Sequence, residues 1–238
     1  MKITLAQTSP KLNKSNLDEV LKIVNSVKNS SDLIVFPELS LSGYMLQDKL
    51  LEDAWSINEL SKLRDLSENI DIVVGCAFRE NDFFRNTALY FHKKCLLSKH
   101  HKVHLPNYGM FEEARYFESG EIFESFLVNE KRISMLICED LWHKSVHQDL
   151  IKENPDFIIA LVASPSRGFE EKGLEIEDKW MNIIKKIALE CNAKLIFVNR
   201  VGFEDGLGFW GGSCIVNNDA LIKHKLPHYK ELIKTFDI

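Results

Sequence analysis

Short apolar runs punctuate the chain at residues 2–7 (KITLAQ), 32–38 (DLIVFPE), 71–78 (DIVVGCAF), 86–92 (NTALYFH), 132–138 (RISMLIC), 157–164 (FIIALVAS), 194–200 (KLIFVNR) and 212–218 (GSCIVNN). Most are rich in Ile, Val, Leu and Phe without alternation, the composition of strands covered on both faces. Between some of them the apolar positions recur at helical spacing. Residues 16–29 place Leu17, Val20, Leu21, Val24 and Val27 on one stripe, which predicts an amphipathic helix. Residues 57–70 and 175–192 show similar spacing. Strands alternating with helices, then a hairpin-like pair at 86–98, predict an α/β domain with mixed sheets. There is no Pro/Ser-rich linker, internal repeat or low-complexity stretch. The expectation is one domain, 1–238.

Composition narrows the function classes. The hydrophobic fraction is 45% and the net charge is −5, with Lys and Arg spread along the chain. Neither a nucleic-acid surface nor a basic membrane patch is expected. MKITLAQTSP lacks the apolar core of a signal peptide, and no stretch is long enough to span a bilayer. The five cysteines are odd in number and form no CxxC pair. This argues against a disulfide framework or a zinc ribbon, so a cytoplasmic setting is expected.

Candidate chemistry sits at strand ends. In VFPELSLSGY, Pro37 ends a strand and leaves Glu38 at its carboxyl end, where ligands of α/β sheets gather. A solvated loop acid fits this stretch equally. In KHHKVHLPNYGMFEEARYF, His100 and His104 have i, i+4 spacing, but Val103 and Leu105-Pro106 favour extended chain. No zinc signature accompanies them, so no metal is expected. Lys102 could stand beside a thiolate or an oxyanion; a surface lysine is the plain alternative. Cys76 and Cys214 lie inside strand patterns and read as inert core thiols. Cys138 ends an apolar run and is followed at once by Glu139 and Asp140. Adjacent acids raise a thiol's pKa, so activation must come from elsewhere in the chain. His143, five residues on, is a weak candidate for a dyad partner.

In order along the chain, FPELSLSGY, KHHKVHLPNYGMFEEARYF and ICEDLWH resemble the motifs of the carbon–nitrogen hydrolase (nitrilase) superfamily. The resemblance runs from KITLAQ to GGSCIV. It implies a four-layer αββα sandwich and a triad of Glu38, Lys102 and Cys138, needing neither metal nor cofactor. LPNYGMFEEARYF looks most like the glutaminase domain of glutamine-dependent NAD synthetases, and NRVGFEDGLGFWGGS like a segment of stand-alone predicted amidohydrolases. From this, Glu113 is implied as a second glutamate beside the triad. Tyr44, Tyr108, Phe111, Glu139, Ser164 and Arg167 are implied as substrate contacts, Arg167 as a candidate clamp for an α-carboxylate.

The expected activity is hydrolysis of a small carboxamide through a cysteine thioester, releasing ammonia and a carboxylic acid. Two alternatives stand beside it. One is a glutaminase subunit feeding ammonia to a separate NAD synthetase. The other is a non-catalytic binding module on the same fold. A homodimer or higher homo-oligomer is the expected assembly.

Overall fold

The computed structural model describes residues 1–171 and 173–238. The first sheet takes β1 (Lys2–Gln7), β2 (Leu33–Val35), β3 (Asp71–Glu80), β4 (Phe83–His92), β5 (Cys95–His101) and, late in the chain, β16 (Leu232–Asp237), in the order β16-β1-β2-β3-β4-β5. The second takes β6 (Ser125–Val128), β7 (Lys131–Ile137), β8 (Phe157–Val162), β11 (Lys194–Asn199), β14 (Cys214–Val216) and β15 (Ile222–Lys225), in the order β15-β14-β11-β8-β7-β6. Two small hairpins, β9 (Phe169–Glu170) with β10 (Gly173–Leu174) and β12 (Val201–Glu204) with β13 (Leu207–Trp210), stand outside both sheets.

Each sheet has three adjacent parallel strands, β1-β2-β3 and β7-β8-β11, followed along the chain by two antiparallel ones. Parallel neighbours need a crossover long enough to hold a helix. The chain supplies α1 (Asn16–Val27) and α3 (Ser61–Leu66) for the first sheet, and α5 (Lys144–Glu153) and α6 (Glu175–Glu190) for the second. Two single-turn helices, α2 (Leu50–Asp53) and α4 (Glu113–Tyr116), lie in loops.

Three apolar layers hold this together. Between the sheets, Ile3, Leu5, Val35 and Val73 meet Met135, Ile137, Ile159 and Val198. Outside the first sheet, Ile34, Phe36, Ile72 and Val74 pack on Val20, Val24 and Leu63. Outside the second, Ile158, Ala160, Leu195 and Phe197 pack on Leu150, Trp180, Ile184 and Ile187. The layer order is therefore helix, sheet, sheet, helix, as the resemblance implies. The unalternating apolar runs follow, because these strands are buried on both faces.

Some elements differ from expectation. The helical stretch at 57–70 is a 3-10 turn, Ile57–Leu60, and then only α3. The edge strands β6, β15 and β16, partly exposed, and the helix α5 were not visible as apolar runs. No helix among the described residues is long and apolar enough to cross a membrane.

Candidate active site

Strands of both sheets end on one rim. Glu38 follows β2, Lys102 follows β5, Cys138 follows β7, and Ala163 and Ser164 follow β8. The structure brings Glu38, Lys102, Glu113 and Cys138 together, although they are far apart in sequence. Lys102 is 0% exposed. Its Nζ donates to Glu38 Oε1 and to Glu113 Oε1, each at 2.8 Å. Burial works against a charged amine, but Glu113 and Glu38 outweigh it and hold Lys102 well above the ordinary lysine value. Glu38 is equally buried. Its Oε1 also accepts from Asn86 Nδ2 (2.8 Å), and its Oε2 accepts from the Ala163 N–H (2.8 Å). Glu113 Oε1 takes a further hydrogen bond from the Tyr44 hydroxyl (2.6 Å), while its buried Oε2 has no partner among the described residues. Burial raises the Glu113 carboxyl, with Lys102 opposing and Glu38 adding to the rise.

Cys138 opens a 3-10 turn, Cys138–Trp142, and has φ +41°, a left-handed conformation unusual for a residue with a side chain. Its thiol faces a small cleft and lies well above the ordinary cysteine value. Burial is the main cause and Glu38 and Glu113 add to it, while Lys102 and the Ala163 N–H pull it down. This corrects the expectation that Glu139 and Asp140 are the acids acting on the thiol. Asp140 is buried and aimed away, at His100 and at three backbone N–H groups. Glu139 Oε2 accepts from the Tyr108 hydroxyl (2.9 Å), and its Oε1 lies 3.7 Å from His143 Nε2. His143 does not form a dyad with Cys138. Its ring stacks on His104 with centroids 3.5 Å apart.

The cleft beside Cys138 is small, with a cavity volume of about 50 Å³, and all six expected substrate contacts line it: Tyr44, Tyr108, Phe111, Glu139, Ser164 and Arg167. They differ in how free they are. The Tyr44 hydroxyl is engaged by Glu113, and Ser164 Oγ accepts from Trp180 Nε1 (2.9 Å). The Arg167 guanidinium lies 4.6 Å from the Phe111 ring centroid and has no carboxylate partner among the described residues. Tyr108, half-exposed, is pushed up to about 12 by burial and by its bond to Glu139.

Several residues of this site were not foreseen. Asn86 reaches Glu38 from β4, as a polar residue at the head of an apolar run. Arg200, fully buried, pairs with Glu204 Oε2 (3.0 Å) and stacks on Phe209. Glu204 Oε1 in turn accepts the N–H groups of Tyr44 (2.8 Å) and Met45 (2.6 Å) and fixes the backbone beneath Tyr44.

A sandwich whose rim gathers a buried Lys between two Glu beside a Cys places a nucleophile, a base and a cation together, the parts that acyl transfer at a thiol uses. The family model for carbon–nitrogen hydrolases matches residues 2–238, and the chain belongs to that family of enzymes, which hydrolyse carbon–nitrogen bonds. Among curated relatives, a glutamine-dependent NAD(+) synthetase of Acinetobacter baylyi is 32% identical over 245 aligned residues, covering 100% of this chain and 44% of the relative. The solved glutamine-dependent NAD+ synthetase of Acinetobacter baumannii superposes with a TM-score of 0.84 at 30% identity, covering 98% of this chain and 44% of that one. An amidase from Nesterenkonia sp. shares the fold with a TM-score of 0.84 at 22% identity, covering 100% of this chain and 90% of that one. The chain thus spans less than half the length of the NAD synthetases it matches.

Proposed function

We propose that this chain is a glutaminase-type amidohydrolase, with Cys138 as nucleophile, Glu38 as general base and acid, and Lys102 as the cation that holds developing negative charge. The observation that carries this is the buried Glu38–Lys102–Glu113 cluster beside a thiol, in a small cleft that presents an acid, Glu139, and an uncompensated cation, Arg167. The match to glutamine-dependent NAD synthetases favours glutamine over a general small carboxamide.

Glu38 takes the thiol proton as Sγ attacks the amide carbon. Two Nζ–H bonds of Lys102 are engaged by the glutamates, which leaves the third for the oxyanion. The Glu139 N–H, at the start of the turn and free of intrahelical bonding, is the second donor. Collapse of the tetrahedral intermediate breaks the C–N bond. Glu38 gives its proton to the leaving nitrogen, ammonia departs, and a thioester remains. Glu38 then deprotonates a water that attacks the thioester, the acid is released, and the thiol recovers its proton. Glutamine would lie with its α-carboxylate at Arg167 and its α-ammonium at Glu139 and Tyr108. The same reading takes the chain as one domain working in the cytoplasm as a homo-oligomer, with its ammonia consumed by a synthetase.

The test is ammonia release from L-glutamine and from propionamide, with intact-mass detection of an acyl adduct. Arg167→Ala should lower kcat/KM for glutamine by about tenfold or more and spare propionamide. Equal loss with both substrates, or loss with neither, would overturn the glutamine reading in favour of a small uncharged amide. Absence of any adduct on Cys138 would overturn the thioester.

A further inference from the structure

Lys102 and Cys138 arrive from different sheets. Lys102 follows β5 of the first and Cys138 follows β7 of the second. The Lys102 ammonium is bonded to Glu38 and Glu113, not to the thiol, so something else must fix its distance from Sγ. Glu38 has its own tie to the second sheet, through the Ala163 N–H. For Lys102 the tie is Asp140. Its Oδ2 accepts from the Ile137 N–H (3.1 Å) and from His100 Nε2 (2.9 Å), and its Oδ1 accepts from the N–H groups of Val103 (3.1 Å) and His104 (2.9 Å). Ile137 immediately precedes the nucleophile. His100 and Val103 flank Lys102. One carboxylate, fully buried, therefore joins the residue before Cys138 to residues on both sides of Lys102.

We propose that Asp140, together with His100, is a positioning pair that holds Lys102 in register with Cys138 across the two sheets. The proposal rests on the Glu38–Lys102–Cys138 reading above. The donor set explains why an acid occupies this place. All four groups donate, and only a carboxylate accepts on both oxygens. An asparagine would turn an NH2 towards two of them and leave buried donors unpaired. The Ile137 bond also closes the turn in which Cys138 holds its left-handed φ. His100 is fixed in its turn by packing on Phe123, with ring centroids 5.2 Å apart.

The experiment follows Cys138 carboxamidomethylation by iodoacetamide against pH, read on the Cys138 peptide by mass spectrometry because Cys95 is also exposed, alongside ammonia release and near-UV circular dichroism. Alkylation needs no substrate, so it reads the geometry separately from the proposed activity. The charged groups that face the thiol are Glu38, Glu113 and Lys102. Displacing Lys102 by an ångström should leave the two acids opposed by the Ala163 N–H alone. Asp140→Asn should cut kcat on the order of a hundredfold and move the alkylation profile to higher pH. Should that variant fail to fold, His100→Leu keeps the contact with Phe123 and removes one donor. It should give a loss of about fivefold in the same direction, restored by His100→Gln, which can still donate. A folded Asp140→Asn or His100→Leu protein with the wild-type alkylation profile would overturn the pair. A wild-type protein that releases no ammonia from any amide, yet shows the shifted profile in Asp140→Asn, would refute the proposed function and leave the positioning pair standing.

Discussion

At the scale of single residues, the site turns on a lysine with no access to solvent. An isolated buried ammonium costs several kcal/mol and would shed its proton. Lys102 keeps it because two carboxylates stand at 2.8 Å. The same carboxylates raise the Cys138 thiol and Lys102 lowers it; in the proposed mechanism that cation is what makes the thiolate reachable. Lys102→Met keeps most of the volume and removes the charge. Burial, Glu38 and Glu113 would then raise the thiol against the Ala163 N–H alone. Alkylation of Cys138 should need a higher pH, and amide turnover should fall by a factor of about a hundred or more. An unchanged alkylation profile would exclude Lys102 from this role. Glu38 and Cys138 were legible in the sequence because each ends an apolar run, and Lys102 because its motif falls between theirs in family order. Asp140 was misread for a physical reason. Its position in the chain tells how near its backbone is to Cys138, but not where its carboxylate points.

At the scale of elements, the Glu38 loop is held by what lies beneath it. Strand β2 is only three residues long, and after Pro37 the chain crosses over Gly75 of β3. A Cβ on Gly75 would stand 2.5 Å from Leu39 N and 2.8 Å from Pro37 O, both backbone atoms that cannot rotate aside. Leu39 already has φ +51°. Gly75→Ala should therefore lift the loop and carry Glu38 away from the Ala163 N–H. The expected result is a fall of about ten- to a hundredfold in kcat/KM, with a stability loss of about 1–3 kcal/mol from overpacking, measured by kinetics and thermal unfolding. Wild-type kinetics in a folded variant would show that the loop does not depend on this contact. The sequence reveals the buried strands well and the margins poorly. Strand β6 is only four residues long and partly exposed, and helix α5 shows one side to solvent. In α5 only Val146 and Leu150 are buried, too thin a stripe to stand out.

At the scale of the molecule, the two sheets repeat one plan, three parallel strands and then two antiparallel, that no repeat in the sequence announces. Residues are free to differ wherever the layer requires only an apolar side chain of suitable size. The plan also divides the chemistry. Glu38, Lys102 and Glu113 all precede residue 121, whereas Cys138, Ser164 and Arg167 all follow it. The chain passes from one set to the other through exposed Glu121 and Ile122, the latter 61% accessible. Neither part can cover its inner apolar face alone, and β16 from the second part pairs with β1 of the first.

Severed between Glu121 and Ile122, the protein becomes a two-piece reporter. One piece carries the acids and the cation, the other the thiol, and a signal requires both. Each piece expressed alone should release no ammonia, and its thiols should react like those of an unfolded chain. Co-expressed, the pieces should recover turnover and the native alkylation profile together. Recovery of either signal by one piece alone would mean that the chemistry is not shared between the sheets.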